Sequence, residues 1–378
     1  MVSNQVLEAE YYYDSSGRPN EIIQDLGNCL TRNIYFILKD NLEDPELLMS
    51  AYIDDFSMIL ITDNEETILD IQINDIKSPT CYVIMNNGLE LKNDGPKAIQ
   101  YIESLLCKGE TVLVNTIMKL VPFYKTFKEN SSIEELDVVD NHFFLLLGQT
   151  SDEFYYMDNY VNYNKRFKAY PSNKSIGIDF KSSFLNAFNY QFRCCTLKPN
   201  YSELKNLNTR IPYIIDQSIK NYKSKMIDNK DERIVYLGRN MLRKFIDLYS
   251  KGQIQLNDAI KNRDHDVFSL SRTIFNRNIG RKKILLLFLN NLPYCLSIQK
   301  LVDAIEENLV KWELIKNTLT KKYMKNDFLC DEKMEKLLEN VLESEDALYQ
   351  ILEESFDFIS TISFLNKKKD TDAQEVLS

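Results

Sequence analysis

A chain of 378 residues with 44% hydrophobic residues, 22 Tyr and 20 Phe against only 10 Gly and 9 Pro can bury a full core, which excludes a disordered protein and suits two ordinary domains. A formal net charge of −10 excludes a general nucleic-acid binder, because displacing counterions from phosphates takes a net basic surface. The seven cysteines lack metal-type spacing, only His142 and His265 could join them, and the Walker and dinucleotide glycine motifs are missing, so metal and nucleotide cofactors are not expected and a reducing, cytoplasmic setting is.

The first residues, Met1–Gln5, run into Glu8 and Glu10 without the basic start and apolar centre of a secretory signal. Leu30, Ile34, Ile37 and Leu38 recur at helical spacing, so Cys29 is predicted to open an amphipathic helix, with Gly27-Asn28 turning the chain into it. Phe56–Thr62, Thr67–Ile73 and Cys81–Met85 read as strands, with Asn86-Asn87-Gly88 as a turn; a helix over Pro96–Cys107 and a strand over Thr111–Asn115 follow. His142–Leu147 and Glu153–Asp158 read as the arms of a hairpin around a Gly148–Asp152 loop. If that hairpin is symmetric about Thr150, position 142 opposes position 158 and the two side chains share a face; a one-residue slip would separate them.

A composition change near Leu197–Ser202, where Pro199 can stop one element and Ser202-Glu203 can cap the next, divides a mixed domain over 1–200 from a helical one over 201–378. Helices are predicted near 203–227, 231–250, 254–262, 266–278, 298–320 and 331–362, with a frayed tail from about 366. The longest apolar run, Ile284 to Leu289, is too short to span a bilayer.

A helix start lowers a thiol pKa through the dipole and its free N–H groups, and a nearby imidazole shares the thiol proton while a carboxylate orients the ring. Cys29 is therefore the candidate nucleophile, His142 the acid and base, and Asp158 the orienter. Gln24 and the Cys29 N–H are the candidate oxyanion donors. Each residue also has a structural reading: Cys29 as a small core residue, His142 as a buried strand histidine, Asp158 as a turn residue and Gln24 as a surface residue. His265, between Asp264 and Asp266, reads as solvated, and Cys194-Cys195 as structural.

The segments Cys107-Lys108-Gly109-Glu110-Thr111-Val112-Leu113-Val114, Val121-Pro122-Phe123-Tyr124, Asn141-His142-Phe143-Phe144-Leu145-Leu146-Leu147-Gly148 and Tyr156-Met157-Asp158, preceded by Asp25-Leu26-Gly27-Asn28-Cys29, together resemble the butirosin biosynthesis protein H N-terminal family. The resemblance spans roughly residues 20 to 165 and departs from the family at Asn28, where a His often precedes the Cys. It implies an α+β, papain-like cysteine-peptidase fold and an acyltransferase or amide synthase, as in closthioamide-type antibiotic assembly. Such an enzyme moves an acyl group from the phosphopantetheine thioester of a carrier protein to an amine, without a further cofactor. Carrier proteins are acidic, so Arg272, Arg277, Arg281, Lys282 and Lys283 are the candidate docking residues, with a solvated helix face as their alternative reading. A peptidase or amidase using water, and a non-catalytic binding protein in which Cys29 is incidental, are the rival functions.

Overall fold

The computed structural model describes residues 26, 29–39, 48, 50–73, 76, 78–124, 127–130, 141–158, 169–170, 173–224, 228–230, 233–253, 278–292, 295–325, 327 and 330–375. In chain order these form helix α1 (Cys29–Lys39), strands β1 (Met58–Asp63), β2 (Ile68–Ile73) and β3 (Val83–Leu91), helix α2 (Gly95–Leu106), and strands β4 (Val112–Ile117), β5 (Asn141–Gln149), β6 (Glu153–Met157), β7 (Ala169–Tyr170) and β8 (Asn173–Phe180). Helix α3 (Leu185–Tyr190) and strand β9 (Phe192–Pro199) follow. Beyond them lie helix α4 (Leu207–Lys223), strands β10 (Asp228–Lys230) and β11 (Arg233–Leu237), and helices α5 (Gly238–Ser250), α6 (Asn278–Asn290), α7 (Leu296–Met324) and α8 (Glu332–Glu375). The class is α+β with antiparallel sheets. Among the described residues no helix is long and apolar enough to cross a membrane.

The chain makes two compact units, Met1–Glu43 with Pro79–Tyr201, and Asp44–Ser78 with Ser202–Ser378. The second boundary falls beside Pro199, but the expected continuous 1–200 domain is corrected by the excursion over 44–78. That excursion carries β1, which pairs along its length with β11 from Ile59↔Leu237 to Asp63↔Arg233, and β2, which pairs with β1. Strand partners at such separation leave no mark on local sequence.

In the first unit a seven-stranded sheet runs β3-β9-β4-β5-β6-β8-β7. Every residue of β4 is buried, the signature of a strand covered on both faces. Helix α1 is buried continuously from Asn33 to Leu38 and packs on β5 and β9. Helix α2 begins where the Asp94 side chain accepts the Lys97 N–H at 3.2 Å and Pro96 occupies the first turn, where its missing N–H costs nothing. Gly95 must stay bare, since a Cβ there would lie 2.8 Å from the Leu185 carbonyl. The expected turn at Asn86-Asn87-Gly88 is instead a bulge inside β3: Asn86 opposes Thr196, Leu89 opposes Cys194, and Asn87 takes φ 53°.

In the second unit a four-stranded sheet, β10-β11-β1-β2, accompanies the helices. The helix expected over 231–250 splits into β11 and α5, because Arg233-Ile234-Val235-Tyr236-Leu237 is a β-branched and aromatic run that finds β1. Gly238 makes the change of direction at φ 47°, with Tyr222 Cα only 2.4 Å from where a Cβ would stand. Helix α6 went unpredicted because its run Ile284–Leu289 is apolar on all sides and has no amphipathic period. Helix α8 continues to Glu375, past the expected frayed tail at 366, through a Lys-, Asp- and Glu-rich stretch free of Pro and Gly. The helices predicted at 254–262 and 266–278 lie outside the described residues.

Lys282 on α6 is 0% exposed. Its ammonium pairs with buried Glu345 on α8, donates to Asn308 Oδ1 at 2.7 Å and sits 5.1 Å from the Trp312 ring centroid, while Trp312 Nε1 donates to Glu345. Removing one member strands a buried charge. Lys282→Met is therefore expected to cost about 3–5 kcal/mol in urea unfolding, and Lys282→Met/Glu345→Gln, which keeps an acceptor for Trp312, to recover much of it; equal midpoints for the two variants would contradict the ion-pair account.

Candidate active site

Cys29 is the first residue of α1, where the N–H groups of the opening turn have no partners within the helix. Thr31 Oγ1 donates to the Leu26 carbonyl at 2.5 Å and ties the entering chain to that turn. The helix is held to β5, which carries His142, by Asn33: its side-chain amide donates to the Cys29 carbonyl at 2.8 Å and to the Phe143 carbonyl at 3.0 Å.

The meeting of His142 and Asp158 depends on a bulge. Around the loop Gln149 opposes Phe154 and Gly148 opposes Tyr155, with the Thr150 N–H donating to the Glu153 carbonyl at 2.9 Å. Continued unbroken, that register would set Leu145 against Asp158 and turn His142 to the opposite face. The slip is cancelled at Leu147, an extra residue on β5, after which Leu146 opposes Tyr156 and Leu145 opposes Met157. One step further brings Asp158 opposite Phe144, diagonal to His142 and on its face. The expected direct 142–158 pairing is thus corrected by two positions, yet the side chains meet: His142 Nε2 hydrogen-bonds Asp158 Oδ2.

Both partners are buried, at 2% and 1% exposure. Phe123 meets the imidazole edge-on at 6.4 Å and Phe144 stacks on it at 6.4 Å, while Phe123 in turn stacks on Tyr156 at 4.4 Å. With Nε2 engaged by Asp158, the remaining ring nitrogen, Nδ1, is left for Cys29, whose thiol is near enough for each group to shift the other's pKa.

The electrostatics follow from this row. Burial pushes the half-buried Cys29 thiol up, but the His142 hydrogen bond, the imidazolium charge and the Phe143 N–H together outweigh burial and the opposing Asp158 charge, and the pKa falls below the ordinary thiol value. Burial disfavours a charged His142, yet the charge and hydrogen bond of Asp158, joined by Cys29, hold its pKa well above the ordinary imidazole value. Both shifts run in the direction that favours a thiolate–imidazolium pair backed by the Asp158 carboxylate. All seven cysteines are free, and burial moves others the opposite way, Cys194 up to about 12 and Cys330 up to about 11.

Gln24, Arg272, Arg277 and His265 lie outside the described residues, so of the two candidate oxyanion donors the Cys29 N–H is the one within them. Of the proposed docking residues within them, Lys282 is corrected to a buried one, and Arg281 and Lys283 have acidic or carbonyl partners. Lys282 is wholly buried with Glu345, Arg281 donates to the Asp55 carbonyl and lies 3.8 Å from Asp54, and Lys283 pairs with Glu313 at 3.1 Å. The sequence shows the run of charges but not which of them a neighbouring helix covers. Asn33 and the Phe143 N–H were missed; the one sequence signal was a lone amide ahead of the apolar run Ile34–Leu38, and the N–H leaves none. Among the described residues no group of three His, Cys, Asp or Glu side chains is arranged to hold a metal ion. No family model matches the sequence, and no curated protein matches it.

The two shifts fix the pH dependence of thiol reactivity. Thiolate appears as pH rises through the lowered Cys29 midpoint, and its imidazolium partner is lost as pH rises through the raised His142 midpoint. Iodoacetamide should label Cys29 ahead of Cys194 and Cys330, with an acid limb below that of a free thiol, and His142→Ala should move that limb upward. Peptide-resolved mass spectrometry across pH reads both, and an acid limb unchanged by His142→Ala would contradict the ion pair.

Proposed function

We propose that this protein is a cysteine-dependent acyltransferase with a papain-like arrangement of Cys29, His142 and Asp158, which moves an acyl group from a carrier-protein thioester to an amine. The observation that carries the reading is the buried row of thiol, imidazole and carboxylate, with the thiol at a helix start. The Cys29 thiolate attacks the thioester carbonyl, and the Cys29 N–H supports the oxyanion. The carbon–sulfur bond to the carrier breaks, and the leaving thiolate takes the His142 proton. An amine then attacks the acyl-enzyme, gives its proton to His142 and releases the amide with Cys29 as thiolate. Exchange between thioesters is nearly isoenergetic and amide formation runs downhill, so this sequence uses no nucleotide.

An amine rather than water as acceptor follows from the family resemblance; Phe123 and Phe144 hold the His142 ring in place and keep its carboxylate side dry. The carrier protein follows from the family resemblance and awaits its own test; so does a place in antibiotic assembly.

Intact-mass spectrometry after incubation with an acylated carrier protein or a small acyl thioester should show one acyl mass added to the wild type and none to Cys29→Ala. Added amines should discharge it faster than water does. Faster discharge by water would establish the hydrolase, and no adduct across several activated thioesters would favour a binding protein. Asp158→Asn should slow acylation by roughly 100-fold or more, since a mis-oriented imidazole loses general acid–base catalysis; single-turnover kinetics checks this, and a change within twofold would remove Asp158 from the triad.

A further inference from the structure

Asn33 is 0% exposed on a helix stretch that is otherwise Ile34-Tyr35-Phe36-Ile37-Leu38, a costly place for an amide unless its hydrogen bonds are made. Its Nδ2 makes two, and both end on backbone that flanks the reacting groups: the carbonyl of Cys29 itself and, 110 residues away in sequence, the carbonyl of Phe143, next to His142. The Phe143 carbonyl is therefore held by Asn33, and the backbone of the same residue is near enough to the Cys29 thiol to help lower its pKa. A bond within the helix alone could be made by any side chain able to reach back one turn. The bond to Phe143 crosses from α1 to β5 and has no role in keeping α1 helical.

We propose that Asn33 is a positioning residue, a clamp that sets the distance between the helix carrying Cys29 and the strand carrying His142. The inference rests on the acyl-transfer reading of the site only for its consequence on rate. With the clamp gone, α1, buried from Ile34 to Leu38, still packs on β5, but the thiol loses its register with the imidazole. Misplacement on this scale costs about 10- to 100-fold in rate.

Two variants separate positioning from general core packing. Asn33→Leu is near-isosteric and deletes both donors. Asn33→Ser keeps a hydroxyl that can bond back to the Cys29 carbonyl within the helix, yet is too short to reach Phe143, so it removes only the cross-link. Circular dichroism and urea unfolding report folding; the pH dependence of Cys29 alkylation and the rate of acyl-enzyme formation report positioning. Folded Asn33→Ser is expected to show a thiolate midpoint moved up toward that of a free thiol and acylation slowed about 10- to 100-fold at unchanged KM. A folded Asn33→Ser with the wild-type midpoint overturns the clamp, and Asn33→Ser carries the test should Asn33→Leu fail to fold. Unfolding of both also overturns it, making Asn33 a core residue without a special tie to the thiol. The alkylation midpoint needs no substrate, so the two claims fail separately. A midpoint that moves with Asn33 in a protein never forming an acyl-enzyme sinks acyl transfer alone; an acyl-enzyme indifferent to Asn33 sinks the clamp alone.

Discussion

The contact between a helix-start thiol and a buried imidazole is the constraint that the first unit is organised around. Taking an imidazolium out of water is unfavourable, and at 2% exposure the Asp158 carboxylate, joined by Cys29, offsets that cost and shifts His142 toward the charged form. Each partner comes from a different element. The bulge at Leu147 returns His142 to the face of Asp158, and Asn33 joins α1 to β5, so the row is as accurate as those two backbone devices make it. The aromatic packing of Phe123, Phe144 and Tyr156 then raises the strength of every charge interaction it surrounds by excluding water.

Buried charge recurs in the second unit with a different purpose. Lys282 and Glu345 have their hydrogen bonds made by Asn308 and Trp312, and no thiol adjoins them. The excursion over 44–78 is anchored by similar means: the Asp55 carboxylate accepts from Ser57 at 2.8 and 2.6 Å and from Asn221 at 2.8 Å, and Asn278 donates to the Phe56 carbonyl at 2.6 Å. Such buried polar networks specify one arrangement where apolar packing alone would permit several.

Local features were legible in the sequence. The helical spacing of Leu30, Ile34, Ile37 and Leu38 places Cys29 at a helix start, and two short apolar arms around Gly148–Asp152 give the hairpin with His142 and Asp158 near each other. What escaped is set by distant backbone. The Leu147 bulge changes the hairpin parity, and nothing in the residue types around it announces that. Asn87-Gly88 looks like a turn in isolation but is drawn into β3 by β9, and Arg233–Leu237 is drawn from a helical expectation into β11 by β1. The basic run Arg281-Lys282-Lys283 reads as a surface until α8 supplies Glu345 to cover its middle member.

A resting thiolate–imidazolium pair at Cys29 and His142 would leave its mark on the ring nitrogens. Nitrogen NMR of the His142 ring, with His265 removed by substitution, tests it most directly. The account predicts both ring nitrogens protonated at neutral pH and a titration midpoint that falls when Cys29→Ser takes away the thiolate. A neutral ring at neutral pH, or a midpoint that ignores Cys29→Ser, would contradict it.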